Sequence, residues 1–298
     1  MIIQVPPAKL RSRVSMSNHL KEYLIIGSRS AHSLDNILAQ SGYELASFQR
    51  ILDFACGCGR TLNFVRQQVS PDRLHGCDYD SELVAWCQTN LAIGSCFVNA
   101  ESPPTEFPDS YFDFLYSISF FTHITESKQR VWLSEWRRIV KNDGLVLLTL
   151  LGEKAAKQES VNLPQSGFSH VVRGIKFNEN TTYQSQEYVQ REWTSLFDIL
   201  DYQESGLNNH QDVVLLGAPA SKNRRRNISP PVFPSELMEA YQRRKDLRGV
   251  FDEHGMGRPD SDTVWKNLTL LDWALSNGGY ELTSLKHLSF DSFFQVVE

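Results

Sequence analysis

Between residues 51 and 219, short apolar runs alternate with segments whose apolar positions recur every three or four residues. The run "ILDF" reads as a buried strand, and "RTLNFVRQQV" behind it as a helix. "RLHGCD" is a second strand. It is followed by a helix over "SELVAWCQTNL", whose start is marked by Ser81 and Glu82. "SCFVN" and "FDFLYSIS" are the third and fourth strands. In "ESKQRVWLSEWRRIV" the residues Val131, Trp132, Trp136, Ile139 and Val140 are expected on one helical face. Asn142-Asp143-Gly144 is read as the stop of that helix, with "LVLLTLL" as a continuous apolar strand behind it. A helix over "SQEYVQREWTSL" leads into two last strands, "FDILDY" and "DVVLLGA".

Strands that alternate with helices, and that are apolar throughout, predict a parallel sheet covered on both faces. Only "QESGLNNHQ" separates the last two strands. That is too short for a helical crossover, so this pair must be antiparallel. The expectation is an α/β, Rossmann-like sheet of seven mostly parallel strands with an antiparallel last strand, helices on both faces, and a small mainly helical C-terminal segment. Residues 1–50 form a helical lead-in. Residues 51–220 form the main domain, with 152–184 as a substrate lid loop, since long structured connections in such folds are usually functional. Residues 221–234 read as a linker and 235–298 as a C-terminal helical segment.

Composition narrows the function classes. The chain of 298 residues is 41% hydrophobic and 22% charged, as in ordinary globular proteins, and carries a formal charge of −5. That balance argues against a broad nucleic-acid-binding face, which needs clustered cations. The cluster Lys222-Asn223-Arg224-Arg225-Arg226 reads as a solvated part of the linker. No apolar run reaches the ~20 residues of a membrane span, and "MIIQVPPAKLRSRV" lacks the apolar core of a secretory signal. Five cysteines without scaffold spacing suit a reducing compartment, so a cytoplasmic location is expected.

The chemistry concentrates in "ILDFACGCGR". Cys56 and Cys58 have no second Cys or His pair to complete a zinc site, so no metal is expected. Cys77, Cys87 and Cys96 fall inside strands and helices, where cysteine behaves as a small hydrophobe. A dinucleotide fingerprint would need a third glycine at the position of Leu62.

Asp53-Phe54-Ala55-Cys56-Gly57-Cys58-Gly59 resembles the D-x-G-x-G-x-G loop of class I S-adenosylmethionine (SAM)-dependent methyltransferases. Such a loop leaves the carboxyl end of the first strand, where open α/β sheets bind ligands. Its glycines let the backbone approach the ligand without an intervening Cβ. Ala55 departs from the pattern, standing where the first glycine usually lies. The resemblance implies SAM as cofactor, bound by Asp53, Ala55, Cys56, Gly57 and Gly59 of the loop. It further implies Asp78 on the ribose, Tyr79 as an adenine wall, Asn99 and Ala100 at the adenine edge, and Ser117 at the end of the fourth strand.

Across residues 23–218 the chain is similar to a bacterial methyltransferase subgroup that often accompanies glycosyltransferases in glycan biosynthesis. The likeness rests on "YLIIGSRSA", "FDFLYSISFFTHI" and "GLNNHQDVVLL". In that likeness the lead-in of residues 1–50 covers the cofactor, and Gly27 and Arg29 lie near its carboxylate. The implied activity is O-methylation of a sugar hydroxyl in a glycan or glycolipid precursor. The alternatives are methylation of a small natural product, or a catalytically silent module in a glycan-assembly complex. A glycosyltransferase or a second copy of the chain is the implied protein partner. A hydroxyl acceptor must lose its proton, and the expected topology brings His123 first and His210 second to the rim, with His170 on the lid. The sequence Ser117-Ile118-Ser119-Phe120 lacks the [DNS]-P-P-[YFW] tetrapeptide of enzymes that methylate amino groups of adenine, cytosine or glutamine. Phe120 and Phe121 are expected to serve core packing more than an acceptor pocket.

Overall fold

A computed structural model describes residues 3–15, 20–174, 179–207 and 210–224. The helical segment expected over 235–298 lies outside the described residues, as does most of the expected linker. The first four linker residues, Ser221–Arg224, form a 3₁₀ turn, with Ser221 buried and Lys222 paired with Asp198 at 3.4 Å.

Seven strands form one sheet: β1 (Ile51–Phe54), β2 (Leu74–Asp78), β3 (Ser95–Val98), β4 (Phe112–Ser117), β5 (Val140–Leu150), β8 (Asp198–Leu207) and β9 (Gln211–Gly217). Their order is β3-β2-β1-β4-β5-β9-β8, with β9 antiparallel to both of its neighbours and the other pairings parallel. Two strands from the 152–184 region, β6 (Phe168–Val171) and β7 (Thr181–Gln184), form a separate antiparallel pair. The expected lid loop is therefore structured, and it also carries the helix α6 (Glu153–Gln158).

Both faces of the sheet are covered, as its uniformly buried central strands require. On one face lie α1 (Ala8–Ser15), α2 (Leu20–Gln40), α3 (Leu62–Val65) and α4 (Ser81–Asn90), with Tyr23, Leu34, Leu62, Val84 and Phe114 in the core. On the other lie α5 (Glu126–Ile139) and α7 (Gln186–Trp193) over an aromatic core in which Phe54 meets Trp132 and Trp136 edge-on, at 4.8 and 5.2 Å. Three helices begin on side-chain caps, which satisfy amide groups that have no partner inside the helix. Asp80 accepts from Glu82 and Leu83, Thr125 from Lys128, and Ser185 from Tyr188.

Three local readings change. The helix expected over "RTLNFVRQQV" closes after Val65 and continues as turns. Val131 is half exposed, and Leu133 takes its place on the buried face of α5. Asn142-Asp143-Gly144 does not stop the helix. The chain is already extended at Val140, which pairs with Phe112, and the three residues fill an irregularity in the β4–β5 register.

Candidate active site

In an open sheet with strand order 3-2-1-4-5, the crevice opens at the carboxyl ends of the strands where the order reverses, here between β1 and β4. Asp53 and Tyr116 face each other across that pair, and Ser117 Oγ donates to the carbonyl of Phe54 at 2.9 Å. The Ser117 hydroxyl is thus already engaged in joining the two strand ends.

The loop that leaves β1 turns on three residues with left-handed backbones: Ala55 at φ 61°, Gly57 at φ 58° and Gly59 at φ 72°. A glycine at the first position would adopt this conformation without steric cost, so Ala55 carries strain there. Cys56 N–H donates to Cys77 O at 2.9 Å, and Gly57 N–H donates to Asp78 Oδ2 at 2.8 Å. Asp78 Oδ1 accepts from Asp80 N–H at 3.0 Å. The acid expected to hold a ribose therefore also holds the loop. Each carboxylate oxygen retains acceptor capacity for a second donor.

The glycines have a different neighbour from the one expected. A Cβ on Gly57 would meet Val14 Cγ1 of α1 at 2.4 Å, and one on Gly59 would meet Leu91 Cδ1 at 2.3 Å. The close approach they permit is to the chain's own helix α1 and to the end of α4. Helix α1 is held in that position by Arg60 Nη1, which donates to Val14 O at 2.6 Å, and by Arg13, which pairs with Asp80 at 2.8 Å and also with Glu82. From α2, Tyr23 donates to Cys58 O at 3.2 Å. Gly27 serves packing between helices, since a Cβ there would meet Arg60 O at 2.5 Å and the ring of Phe64. Arg29 is half-buried, its ionised form is disfavoured by desolvation, and it pairs with no acidic side chain among the described residues.

Beyond β3, Asn99 N–H donates to Asp78 O at 3.0 Å, and its Nδ2 donates to Ala100 O at 2.8 Å. Asn99 Oδ1 is buried with no partner among the described residues. Tyr79, next to Asp78, is 51% exposed and presents its ring at the same edge. Burial pushes the carboxyl of Asp53 well above its usual range, against the pull of the Tyr116 hydroxyl and the Arg60 guanidinium. Burial also raises Asp78, against the two backbone donors.

Past β4 the rim is polar. Ser119, at φ 64°, donates its N–H to Thr149 Oγ1 at 2.8 Å, and its Oγ accepts from Gln211 Nε2 at 2.7 Å. His123 is half-buried, with Nδ1 at 2.7 Å from the carbonyl of Asn180. A carbonyl can only accept, so Nδ1 carries the proton and the basic lone pair lies on Nε2. Burial lowers the pKa of His123, the Asn180 carbonyl raises it, and neighbouring His170 lowers it again. His170 Nδ1 lies 2.7 Å from Thr182 Oγ1, whose own hydrogen goes to Ile124 O at 2.9 Å. The β6–β7 pair thus brings His170 beside His123. His210 does not join them: it sits exposed on the β8–β9 turn. Phe121 is buried against Trp136 and Trp193, while Phe120 is half-buried over Phe54.

Several rim residues carried no local signal in the sequence. Ser119, Thr149 and Gln211 come from three different strand ends. Asp212, raised by burial, accepts from Tyr202 at 2.6 Å and from Ser205 N–H at 2.8 Å. A second cluster was equally invisible. The thiols of Cys56, Cys87 and Cys96, from the loop, α4 and β3, lie within 4.8 Å of one another and are buried. Cys96 is held below the ordinary thiol range by the thiols of Cys56 and Cys87.

Residues 51–144 match the methyltransferase-domain family. Among solved structures, the glycopeptide N-methyltransferase MtfA bound to S-adenosyl-L-homocysteine is 16% identical, over 65% of this chain and 90% of that one, with a TM-score of 0.49. A SAM-dependent methyltransferase from Aquifex aeolicus is 15% identical, over 72% of this chain and 100% of that one, with a TM-score of 0.47. The family match over residues 51–144, the strand order and the loop are those of a class I SAM-dependent methyltransferase domain, with SAM as its cofactor. The residues present fit that cofactor. An unpartnered acceptor at Asn99, a buried carboxylate at Asp78 and an unpaired half-buried cation at Arg29 match an adenine edge, a ribose and a carboxylate. Among the described residues, no helix is long and apolar enough to cross a membrane.

Proposed function

We propose that the enzyme methylates a sugar hydroxyl of a glycan or glycolipid precursor. The observation that carries this reading is the polar character of the rim. Ser119, His123, His170 and Gln211, all half-buried, supply hydroxyl, imidazole and amide groups where an apolar metabolite would call for an apolar wall.

Bound SAM supplies an electrophilic methyl group on a sulfonium that is already an excellent leaving group. The chain's task is therefore alignment more than activation, and positioning contributes much of the rate. Asp78, Asn99 and Tyr79 would hold the nucleoside end and Arg29 the carboxylate, with the Asp53–Gly59 loop offering its backbone to the cofactor. Gly27, Ala55, Cys56, Ala100 and Ser117 shape this cradle through their backbone and packing. His123 takes the acceptor's hydroxyl proton on Nε2, which its bond to Asn180 leaves as the basic nitrogen. The β6–β7 pair, anchored by Thr182 N–H donating to Thr122 O at 2.8 Å, covers the acceptor side and limits water entry. His210 has no part in this scheme. The five free cysteines fit a cytoplasmic enzyme, and a glycosyltransferase or a second copy of the chain is the partner this reading favours.

The test is transfer from methyl-labelled SAM into separated polysaccharide, glycolipid, small-metabolite, protein and RNA fractions. The reading expects base-stable label in the glycan or glycolipid fraction that is lost with Asp78→Ala. Label confined to small metabolites or to amines would overturn it.

A further inference from the structure

Five buried cysteines are easily taken as small hydrophobes, yet three of the four on one face of the sheet converge. Cys56 leaves β1 in the cofactor loop, Cys87 is on α4 and Cys96 is on β3. Their sulfurs all lie within 4.8 Å of one another, with Cys56 and Cys96 at 4.0 Å. A metal held at a metal–sulfur distance of about 2.3 Å separates its sulfur ligands by about 3.8 Å in tetrahedral geometry and about 4.0 Å in trigonal geometry. The Cys56–Cys96 separation of 4.0 Å falls in that range, and a contraction of less than 1 Å brings any pair at the 4.8 Å bound into it.

A fourth donor stands beside them. The carbonyl oxygen of Gly57 lies 3.5 Å from Cys56 Sγ and 3.5 Å from Cys87 Sγ. Around a tetrahedral ion, a sulfur and an oxygen ligand are separated by about 3.6 Å. The walls leave room at the sulfurs. Gly76 has no side chain where a Cβ would come within 3.0 Å of Cys56 Sγ and 3.2 Å of Cys96 Sγ, and a Cβ on Gly59 would lie 3.3 Å from Cys87 Sγ. Leu62 and Leu91 line the same core and keep water away.

We propose that Cys56, Cys87 and Cys96 bind one soft d¹⁰ metal cation beneath the cofactor loop. Zinc is held as three sulfurs plus the Gly57 carbonyl, and copper(I) by the three sulfurs alone. Thiolate ligands select such ions over magnesium or calcium, which take oxygen ligands. Each of the three thiols gives up its proton to solvent as its sulfur bonds to the ion, so uptake releases protons and weakens as the pH falls. The bound ion ties the cofactor loop to α4 and β3. This site stands independently of the acceptor and of methyl transfer.

The full chain, reduced and stripped with a chelator, is titrated with zinc alone, with copper(I) alone, and with cadmium(II) as a spectroscopic probe. The expected result is one ion per chain, with a thiolate-to-cadmium charge-transfer band that saturates at one equivalent. X-ray absorption of the zinc form should show three sulfur scatterers at about 2.3 Å. Cys87→Ser and Cys96→Ser should each weaken binding by more than about tenfold. Cys58→Ser, outside the cluster, should leave it unchanged. A folded wild-type chain that shows no band at excess cadmium overturns the site, as does a zinc form without sulfur scatterers. The wild-type measurements decide the matter even if a cysteine variant fails to fold.

Discussion

Gly57 donates its amide hydrogen to Asp78 Oδ2 at 2.8 Å, so the loop leaving β1 is tied directly to the end of β2. With Asp80 N–H on the other oxygen, Asp78 satisfies two backbone donors before any ligand arrives. Asp78→Ala leaves both without that acceptor and should cost about 1–3 kcal/mol of stability in addition to weakening SAM binding. Denaturant titration without cofactor separates the two effects. A variant as stable as the wild type would show that the carboxylate serves the ligand alone.

Gly57 faces α1 through Val14, which makes a double-substitution test available. Gly57→Ala should destabilise the protein and impair SAM binding, because its Cβ would lie 2.4 Å from Val14 Cγ1 and because φ 58° disfavours any side chain. Adding Val14→Ala removes the clash and should recover part of the stability, with a coupling of about 0.5–3 kcal/mol in the thermodynamic cycle. Additive effects would mean that backbone strain, not contact with α1, sets the cost.

Ala55 occupies a left-handed position at φ 61°. Ala55→Gly should stabilise the protein by about 1 kcal/mol, since relief of the left-handed strain exceeds the entropy that glycine adds to the unfolded chain. Ala55→Val should destabilise it. Thermal melts of the three proteins at one pH decide the order.

The sheet was legible because its strands are buried on both faces, so "ILDF", "LHGC" and "LVLLTL" stand out as apolar runs with period-two packing on both sides. The antiparallel end followed from connection length alone. The loop was legible from its glycines, although what those glycines accommodate is Val14 and Leu91, which no local pattern announces. The β6–β7 pair was missed because its strands have only four residues each, and β7, though buried, is mostly polar in sequence. The rim network and the three-thiol cluster were missed for a common reason. Their members are brought together only by sheet order: Ser119 and Gln211 are 92 residues apart, and Cys56 and Cys96 are 40 apart. His210 was placed correctly on the turn, but it points to solvent because the turn extends beyond the sheet's core.

Asp53 is fully buried, and its carboxyl is raised by that burial. A carboxyl raised in the folded state binds its proton more tightly there than in the unfolded chain. The stability it contributes is complete below about pH 4 and is lost as pH rises through the folded value. Asp53→Asn should therefore gain stability relative to the wild type as pH increases from 4 to 7, while binding SAM more weakly. Denaturation midpoints for both proteins across that range provide the check. A constant difference would mean that Asp53 keeps its ordinary titration.

His123 carries the last prediction. Its pKa is lowered, chiefly by burial, so at neutral pH the imidazole is uncharged and its Nε2 is basic. A general base must be unprotonated, and so kcat/KM should fall on the acid side with an apparent pKa below the ordinary histidine value of about 6.5. The same shift makes folding less favourable as pH drops below about 6.5 toward the folded pKa, because the unfolded chain takes up that proton first. His123→Gln should lower kcat by about 10²–10⁴-fold, leave the KM for SAM nearly unchanged, and remove the acid limb from the rate profile. His210→Gln should leave the profile as it is. If the acid limb survived in His123→Gln and vanished in His170→Gln, the proton would pass to His170 on β6 instead, whose Nδ1 is likewise committed, to Thr182, and whose basic nitrogen is also Nε2.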